Sequence, residues 1–379
     1  MALTPGVPAP RVPFVALGRE HELIAAKLTA AFQSVLRSSA FVLGQEVERF
    51  EAAWAQACGT RHCVGVSSGT AALTILLEST GIGAGDEVIV PALTFFSTAQ
   101  AVLAAGAIPV LCDVDAGTGL IDLAQAEGLV NSSTAAVLAV HLYGQLCDMG
   151  ALGSFAERHG IALLQDAAHA HGAGREGERA GPQGAGAAFS FYPSKNLGAL
   201  GDAGAICTDD ATIAERARQL RNLGQRSKGE HVQPSGNDRL DGLQAAMLSV
   251  KLPYLESANR ARRALASDYR EHLNGNVRLL EVEDPGGCVY HVFPVRIADR
   301  DGVAARMRAA GVDVAVHYSP ALHGHPAFRD RVRTPAPLPN AEAWAATELS
   351  LPLSPGLRPD EIERAVTECL RAMGGAHAD

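Results

Sequence analysis

The sequence predicts an α/β protein with a large, mainly parallel sheet and a smaller α+β domain behind it, and three observations carry that prediction. First, short apolar runs recur between residues 62 and 207, with helix-length segments between several of them. Runs this apolar read as strands buried on both faces, the pattern of a parallel sheet covered by helices. Second, a helical pattern from Leu240 to about Leu273 is long enough to bridge two domains. Third, the chain has 379 residues, whereas single cores stop growing at roughly 250–300 residues.

Taken in order, the pattern is helical from about residue 19 to 57, broken at Phe41-Val-Leu-Gly and resumed from Glu46 to Trp54. The strands then follow at His62–Val66, Glu87–Val90, Ile108–Cys112, Ala136–Val140, Ile161–Gln165, Ala187–Phe191 and Ala205–Cys207. Helical spacing returns from Thr212 to Leu223 and again from Leu240. The domain boundary is placed near residue 255, giving a large domain over 1–255, with an N-terminal arm, and a small one over 256–379. The small domain would hold the apolar run Cys288–Ile297, a helix from Gly302 to Ala310 and a last helix from Asp360 to Met373.

Composition excludes several classes of function. Apolar residues make up 47% of the chain and charged residues 19%, an ordinary globular balance. A net charge of −9 without a basic run leaves no footprint for nucleic acid or anionic membrane, so neither partner is expected. The seven cysteines (58, 63, 112, 147, 207, 288 and 369) are scattered with no C-x-x-C pair. They read as buried small hydrophobes in a reducing compartment, with no disulfide or zinc site expected. The proline-rich start lacks the order of a signal peptide and no apolar stretch of about 18 residues occurs, so a cytoplasmic location is expected.

Four segments carry candidate chemistry. In Val66-Ser-Ser-Gly-Thr-Ala-Ala-Leu a strand passes through a small-residue turn into a helix. Free N–H groups and the helix dipole at such a start attract a phosphate, although an ordinary helix cap would look the same. Gly81-Ile-Gly-Ala-Gly85 resembles a dinucleotide fingerprint, but it follows a helix and precedes a strand. It therefore reads as a helix stop and turn rather than a nicotinamide site.

Asp166 stands where an apolar strand ends, and a carboxylate at that depth needs a cationic or donor partner. A protonated pyridine nitrogen would serve, though capping of the next turn is the plainer use of the residue. His169 and His171 form an H-x-H pair without a third ligand at metal spacing, so no metal is expected. Only four lysines occur, Lys27, Lys195, Lys228 and Lys251, against 28 arginines. Lys195 lies five residues after Ser190 across a proline-containing turn, among Phe191, Tyr192, Leu197 and Leu200. Apolar surroundings lower an amine toward its reactive range, and an amine can form a Schiff base where arginine cannot.

These motifs, in this order, resemble the DegT/DnrJ/EryC1/StrS family of pyridoxal-phosphate aminotransferases, of the aspartate-aminotransferase fold (fold type I). The likeness runs from Phe41-Val-Leu-Gly-Gln-Glu-Val-Glu-Arg-Phe-Glu51 through His141-Leu-Tyr-Gly144, Gly236-Asn-Asp-Arg-Leu-Asp-Gly-Leu-Gln-Ala-Ala246 and Val316-His-Tyr-Ser-Pro-Ala-Leu-His323 to Leu349-Ser-Leu-Pro-Leu353. The resemblance implies that Lys195 is the Schiff-base lysine and that Asp166 partners the pyridine nitrogen of pyridoxal 5'-phosphate. It implies that Gly69, Thr70 and Ser190 hold the phosphate and that Phe95 stacks on the ring. His169 would lie near the ring hydroxyl, where many members have glutamine. Asn237 would reach the neighbouring subunit's phosphate site in a homodimer with shared active sites. His317, Tyr318 and His323 match the substrate-side segment, although a rigid loop with satisfied histidines would fit their surroundings too.

The activity so implied is amino transfer from L-glutamate, leaving 2-oxoglutarate, to a nucleotide-linked keto sugar. His169 leans the expectation toward C4 of a dTDP-4-keto-6-deoxyglucose. Transfer to C3 or to a cyclitol ketone is the alternative, and a non-catalytic regulatory protein that binds the cofactor is a remote one. A sibling branch that dehydrates sugars has histidine in place of the lysine, which Lys195 argues against.

Overall fold

A computed structural model describes residues 11–374; the proline-rich residues 1–10 and residues 375–379 lie outside the described residues. Its strands, in chain order, are β1 (His62–Val66), β2 (Glu87–Pro91), β3 (Ile108–Cys112), β4 (Thr134–Val140), β5 (Ala162–Asp166), β6 (Gly174–Arg175), β7 (Glu178–Arg179), β8 (Gly186–Ser190), β9 (Gly204–Thr208), β10 (Gln225–Ser227), β11 (Glu230–His231), β12 (Arg278–Leu279), β13 (Phe293–Arg296) and β14 (Glu348–Leu351). The helices are α1 (Leu17–Glu22), α2 (Ala25–Ser38), α3 (Gln45–Cys58), α4 (Gly69–Ser79), α5 (Phe96–Ala104), α6 (Leu123–Glu127), α7 (Met149–His159), α8 (Ala211–Leu220), α9 (Gly242–Lys251), α10 (Leu255–Leu273), α11 (Arg300–Ala309), α12 (Pro339–Thr347) and α13 (Pro359–Gly374).

Seven strands form one sheet in the order β1-β9-β8-β5-β4-β2-β3. The pairs from β8 through β3 are parallel, and β9 runs antiparallel to both of its neighbours. Side chains alternate across this sheet, as a period of two requires. Val88, Val90, Leu138, Leu164 and Ile206 join Leu73, Leu76 and Leu77 of α4 in one core. Ile89, Val137, Leu163, Phe189 and Cys207 join Phe50 and Trp54 of α3 and Phe155 of α7 in the other. Both faces are thus covered, which is why the strands read as continuous apolar runs rather than alternating ones.

Gly81, at φ +87°, and Gly85, at φ +96°, carry the turn between α4 and β2. The stretch Leu240–Leu273 is two helices, α9 and α10, joined by a single helical turn at Leu252–Tyr254 that contains Pro253. Proline removes a helical hydrogen bond, so one continuous helix was not available there. The run Cys288–Ile297 likewise forms a strand only at β13, for a reason that matters to the site.

A third core gathers Tyr269 and Leu273 of α10, β13, β14, α11 and α13 around Val12 and Ala16. The N-terminal segment joins it through Val12, whose N–H reaches Gly311 O at 2.9 Å. From the C-terminal half, Phe328, Leu338 and Trp344 pack instead into the core of the large sheet, fastening the two layers together. All seven cysteines are free and buried. Among the described residues no helix is long and apolar enough to cross a membrane.

Candidate active site

The strands β2, β4, β5 and β8 are parallel, and their carboxyl ends bring Pro91, Val140, Asp166 and Ser190 to one edge of the sheet. Ligands of open α/β sheets bind at this edge. A cavity of about 420 Å³ lies there, lined by the start of α4, Phe95, Asp166, His169, Ser190, Lys195, His291, His317 and Tyr318.

At one end, α4 starts at Gly69, with the Ser68 hydroxyl accepting the Ala71 N–H at 3.1 Å. A Cβ on Gly69 would sit 2.6 Å from the Ser190 Cβ, so only glycine lets the helix start lie against Ser190. Thr70 donates its hydroxyl to Ser97 Oγ at 2.9 Å. The result is a cradle of free amides and hydroxyls at a helix N-terminus, suited to a phosphate.

At the other end Asp166 closes β5 and is 6% exposed. It accepts the Thr98 hydroxyl at 2.8 Å and the Ala168 N–H at 3.1 Å. Burial pushes its carboxyl up, while those two bonds and the Lys195 charge pull it down. A protonated ring nitrogen would give it the close cation that such burial calls for. Phosphate cradle, buried carboxylate and amine therefore fit pyridoxal 5'-phosphate. Phe95 is 52% exposed, its ring 5.3 Å from that of Tyr318, at the open side of the same cavity.

Lys195 sits in a turn after β8, its N–H on Tyr192 O at 2.8 Å. Burial lowers its amine to about 8, against the opposing pull of Asp166. Its Nζ lies 3.5 Å from Nε2 of His291.

Sequence reasoning did not single out His291. Residues 289–291 leave the line of β13 and pair with another loop: Val289 N–H bonds Gly144 O and His291 N–H bonds Tyr143 O, both at 2.9 Å. This detour carries the imidazole to the lysine. The only signal was a histidine inside an otherwise apolar run.

His169 accepts the Tyr143 N–H at Nδ1 (3.3 Å), so its proton resides on Nε2, 3.1 Å from the Tyr318 hydroxyl. Burial, then Lys195, His317 and His171, holds it neutral, far below the ordinary range. His317 places Nδ1 2.8 Å from Ser350 Oγ and its N–H 2.5 Å from Glu348 Oε2. Ser350 donates in turn to Glu348 Oε1 at 2.5 Å. Burial raises Glu348 to about 8 and lowers His317 to about 3.

The structure thus brings Gly69, Thr70, Phe95, Asp166, His169, Ser190, Lys195, His317 and Tyr318 to one cavity. His323 does not line it: its Nε2 lies 3.1 Å from Glu342 Oε1. Asn237 is exposed, outside the lining, and bridges Asn222 along the backbone. His171 is buried behind the site against Trp54, Phe189 and Phe191. No cluster of three metal-ligating side chains occurs among the described residues.

Residues 22–371 match the model of the DegT/DnrJ/EryC1/StrS aminotransferase family. The chain is 43% identical over 359 residues to a dTDP-3-amino-3,4,6-trideoxy-alpha-D-glucose transaminase of Streptomyces venezuelae, covering 94% of this chain and 95% of that protein. It is 40% identical to a dTDP-3-amino-3,6-dideoxy-alpha-D-galactopyranose transaminase of Aneurinibacillus thermoaerophilus, over 94% and 98% of the two chains. Its fold is similar to that of S. venezuelae DesV, solved in complex with a ketimine intermediate, with a TM-score of 0.93, 41% identity and coverage of 98% and 100%. The chain belongs to the DegT/DnrJ/EryC1/StrS aminotransferase family and is a pyridoxal-phosphate-dependent aminotransferase of fold type I.

Proposed function

We propose that this enzyme transfers the amino group of L-glutamate to the C3 keto group of a dTDP-linked deoxyhexose, leaving 2-oxoglutarate. The observation that carries the reading is Lys195, a buried amine lowered to about 8, in one cavity with Asp166 and the α4 phosphate cradle. With a value of about 8 rather than the usual range above 10, about a tenth of the amine is unprotonated at pH 7 and ready to accept a proton. Pyridoxal phosphate supplies the electron sink that lets the donor α-carbon and the sugar carbon exchange protons.

The chain's own residues do the rest. Gly69, Thr70 and Ser190 bind the phosphate, Asp166 keeps the ring nitrogen protonated and Phe95 covers a ring face. His169, neutral and tied to Tyr318, lies beside the ring hydroxyl. Lys195 anchors the cofactor, takes the proton from the donor α-carbon, and in the second half delivers one to the carbon that gains nitrogen. His317 and Tyr318 face the sugar. Asn237, exposed and outside its own cavity, reaches the phosphate site of a second copy, so that the working form is a homodimer.

The choice of C3 rests on the names of the relatives at 43% and 40% identity, both transaminases of 3-amino sugars. It replaces the lean to C4 drawn from His169 alone. C4 transfer keeps support only from that histidine, which stands where many members of the family have glutamine. Incubating the aminated enzyme with dTDP-3-keto and dTDP-4-keto deoxyhexoses and with a cyclitol ketone, then locating nitrogen by NMR, tests the reading. Amine at C3 is expected; amine only at C4, or turnover only of a cyclitol ketone, would overturn it.

A further inference from the structure

We propose that His291, held in a single tautomer by Asn196, positions the free amine of Lys195 for proton transfer. The inference rests on the reading of Lys195 as the proton carrier and adds the group that steers it.

Two asparagines behind the imidazole fix its tautomer. Asn259 donates its amide to His171 O at 2.8 Å, which turns its Oδ1 toward Asn196. Asn196 donates its own amide to that oxygen and to Val289 O, both at 2.9 Å. Two acceptors at one end fix the amide, so its Oδ1 faces His291 Nδ1 at 3.1 Å. An amide oxygen only accepts, so Nδ1 of His291 carries the proton. In a neutral imidazole the other nitrogen, Nε2, is then a bare acceptor. It points at Lys195 Nζ, 3.5 Å away, the long end of hydrogen-bond reach, as is common before reacting partners are bound.

The imidazole has little freedom to do otherwise. The backbone N–H of His291 is held by Tyr143 O, and its backbone carbonyl receives Arg262 Nη1 at 3.1 Å. Its ring lies 4.3 Å from that of His169, and it is 6% exposed. Burial, then His169, Lys195, Arg262 and His317, keeps it neutral, while Asp166 and His171 complete the charged and titratable groups around the lysine. A neutral amine that commits one N–H to Nε2 has its lone pair turned away from His291 toward the cavity. His291 is therefore a positioning residue, and Asn196 sets the tautomer through which it works.

Three substitutions in the full-length protein separate positioning from scaffolding. In His291→Gln the side-chain amide stands near the Nε2 place, and in His291→Asn near the Nδ1 place; His291→Leu fills the space with neither. Two readouts apply to each. In cofactor-free protein, the pH midpoint of Lys195 acylation by an amine-specific reagent is read by peptide mass spectrometry. In cofactor-loaded protein, the single-turnover half-reaction with glutamate is timed.

His291→Gln should keep the acylation midpoint and most of the rate. His291→Asn and His291→Leu should lower the midpoint by about half a unit to one unit, because the ammonium loses an acceptor. They should slow the half-reaction by roughly 30-fold or more, with cofactor affinity changed less than about threefold. If Asn rescues and Gln does not, or if all variants share one midpoint and one rate, the positioning role is overturned and His291 merely props Asn196. Should the Leu variant not fold, the Gln and Asn pair decides alone. A half-reaction that survives Lys195→Ala would instead defeat the lysine reading itself, which keeps the two failures distinct.

Discussion

Tyr318 meets His169 through its hydroxyl, 3.1 Å from an Nε2 that must donate because Nδ1 already accepts the Tyr143 N–H. The tyrosine oxygen is thereby an acceptor on one side, and its own proton is left for the cavity. Tyr318→Phe removes that donor and leaves a buried Nε2–H unpaired, a loss worth about 1–3 kcal/mol. We expect kcat/KM for the keto sugar to fall roughly 10-fold to 100-fold, with the glutamate half-reaction changed far less. Equal losses in both half-reactions would contradict the placement of Tyr318 on the sugar side.

Gly69 is required by space. Gly69→Ala places a methyl group 2.6 Å from the Ser190 Cβ, so either the helix start or β8 must shift. Overpacking of this kind costs about 1–3 kcal/mol, and here it should appear as roughly 10-fold to 100-fold weaker cofactor binding in a fluorescence titration. Adding Ser190→Gly should recover part of the loss, since it removes the colliding atom. No recovery would mean that the two residues do not share the phosphate cradle.

Glu348 gives the fold a pH dependence. Its carboxyl is raised to about 8 by burial, ahead of the opposing Ser350 and His317 bonds and the Arg300 charge. A group whose folded value lies above its unfolded one contributes stability below the unfolded value, and that contribution fades as pH rises to the folded one. The denaturant midpoint should therefore carry a component that declines from about pH 5 to pH 8 and is missing in Glu348→Gln. Parallel pH profiles for the two proteins would refute it.

If the active site is shared between subunits as proposed, Asn237→Ala and Lys195→Ala are complementary. Each homodimer should be close to inactive, because each lacks one part of both sites. Mixed dimers contain one site with both residues intact, so refolding the two variants together should restore activity toward one quarter of wild type, the share set by random pairing. Restoration is read as turnover per cofactor bound. No recovery in proven mixed dimers would show that Asn237 serves its own subunit.

Gly69, Asp166, Ser190 and Lys195 were legible in the sequence because each sits where a strand hands over to a turn or helix, and that order needs no tertiary information. Strand limits moved by a residue or so: β5 runs to Asp166 itself rather than stopping at Gln165, which fixes the carboxylate at the sheet edge. His291 was not legible. Its place depends on residues 289–291 pairing with 143–144, about 145 positions earlier, and an apolar run gives no sign of where it bends away. Glu348 was hidden in the same way, as a carboxylate buried within β14 and served by a serine two residues on. His323 shares a motif with Tyr318, yet a helical turn at Leu322–Gly324 and its contact with Glu342 keep it out of the cavity.

The proposed chemistry turns on Lys195 as the amine that anchors the cofactor and moves the proton. The direct measurement compares wild type and Lys195→Ala, each loaded with pyridoxal phosphate and mixed with glutamate in a stopped-flow absorbance experiment. Lys195→Ala should lack the visible band of the covalently held cofactor and show a half-reaction at least about 1,000-fold slower, since it loses both anchor and proton carrier. A variant that keeps the band without added amine, or that reacts at the wild-type rate, would show that another group anchors the cofactor or moves the proton.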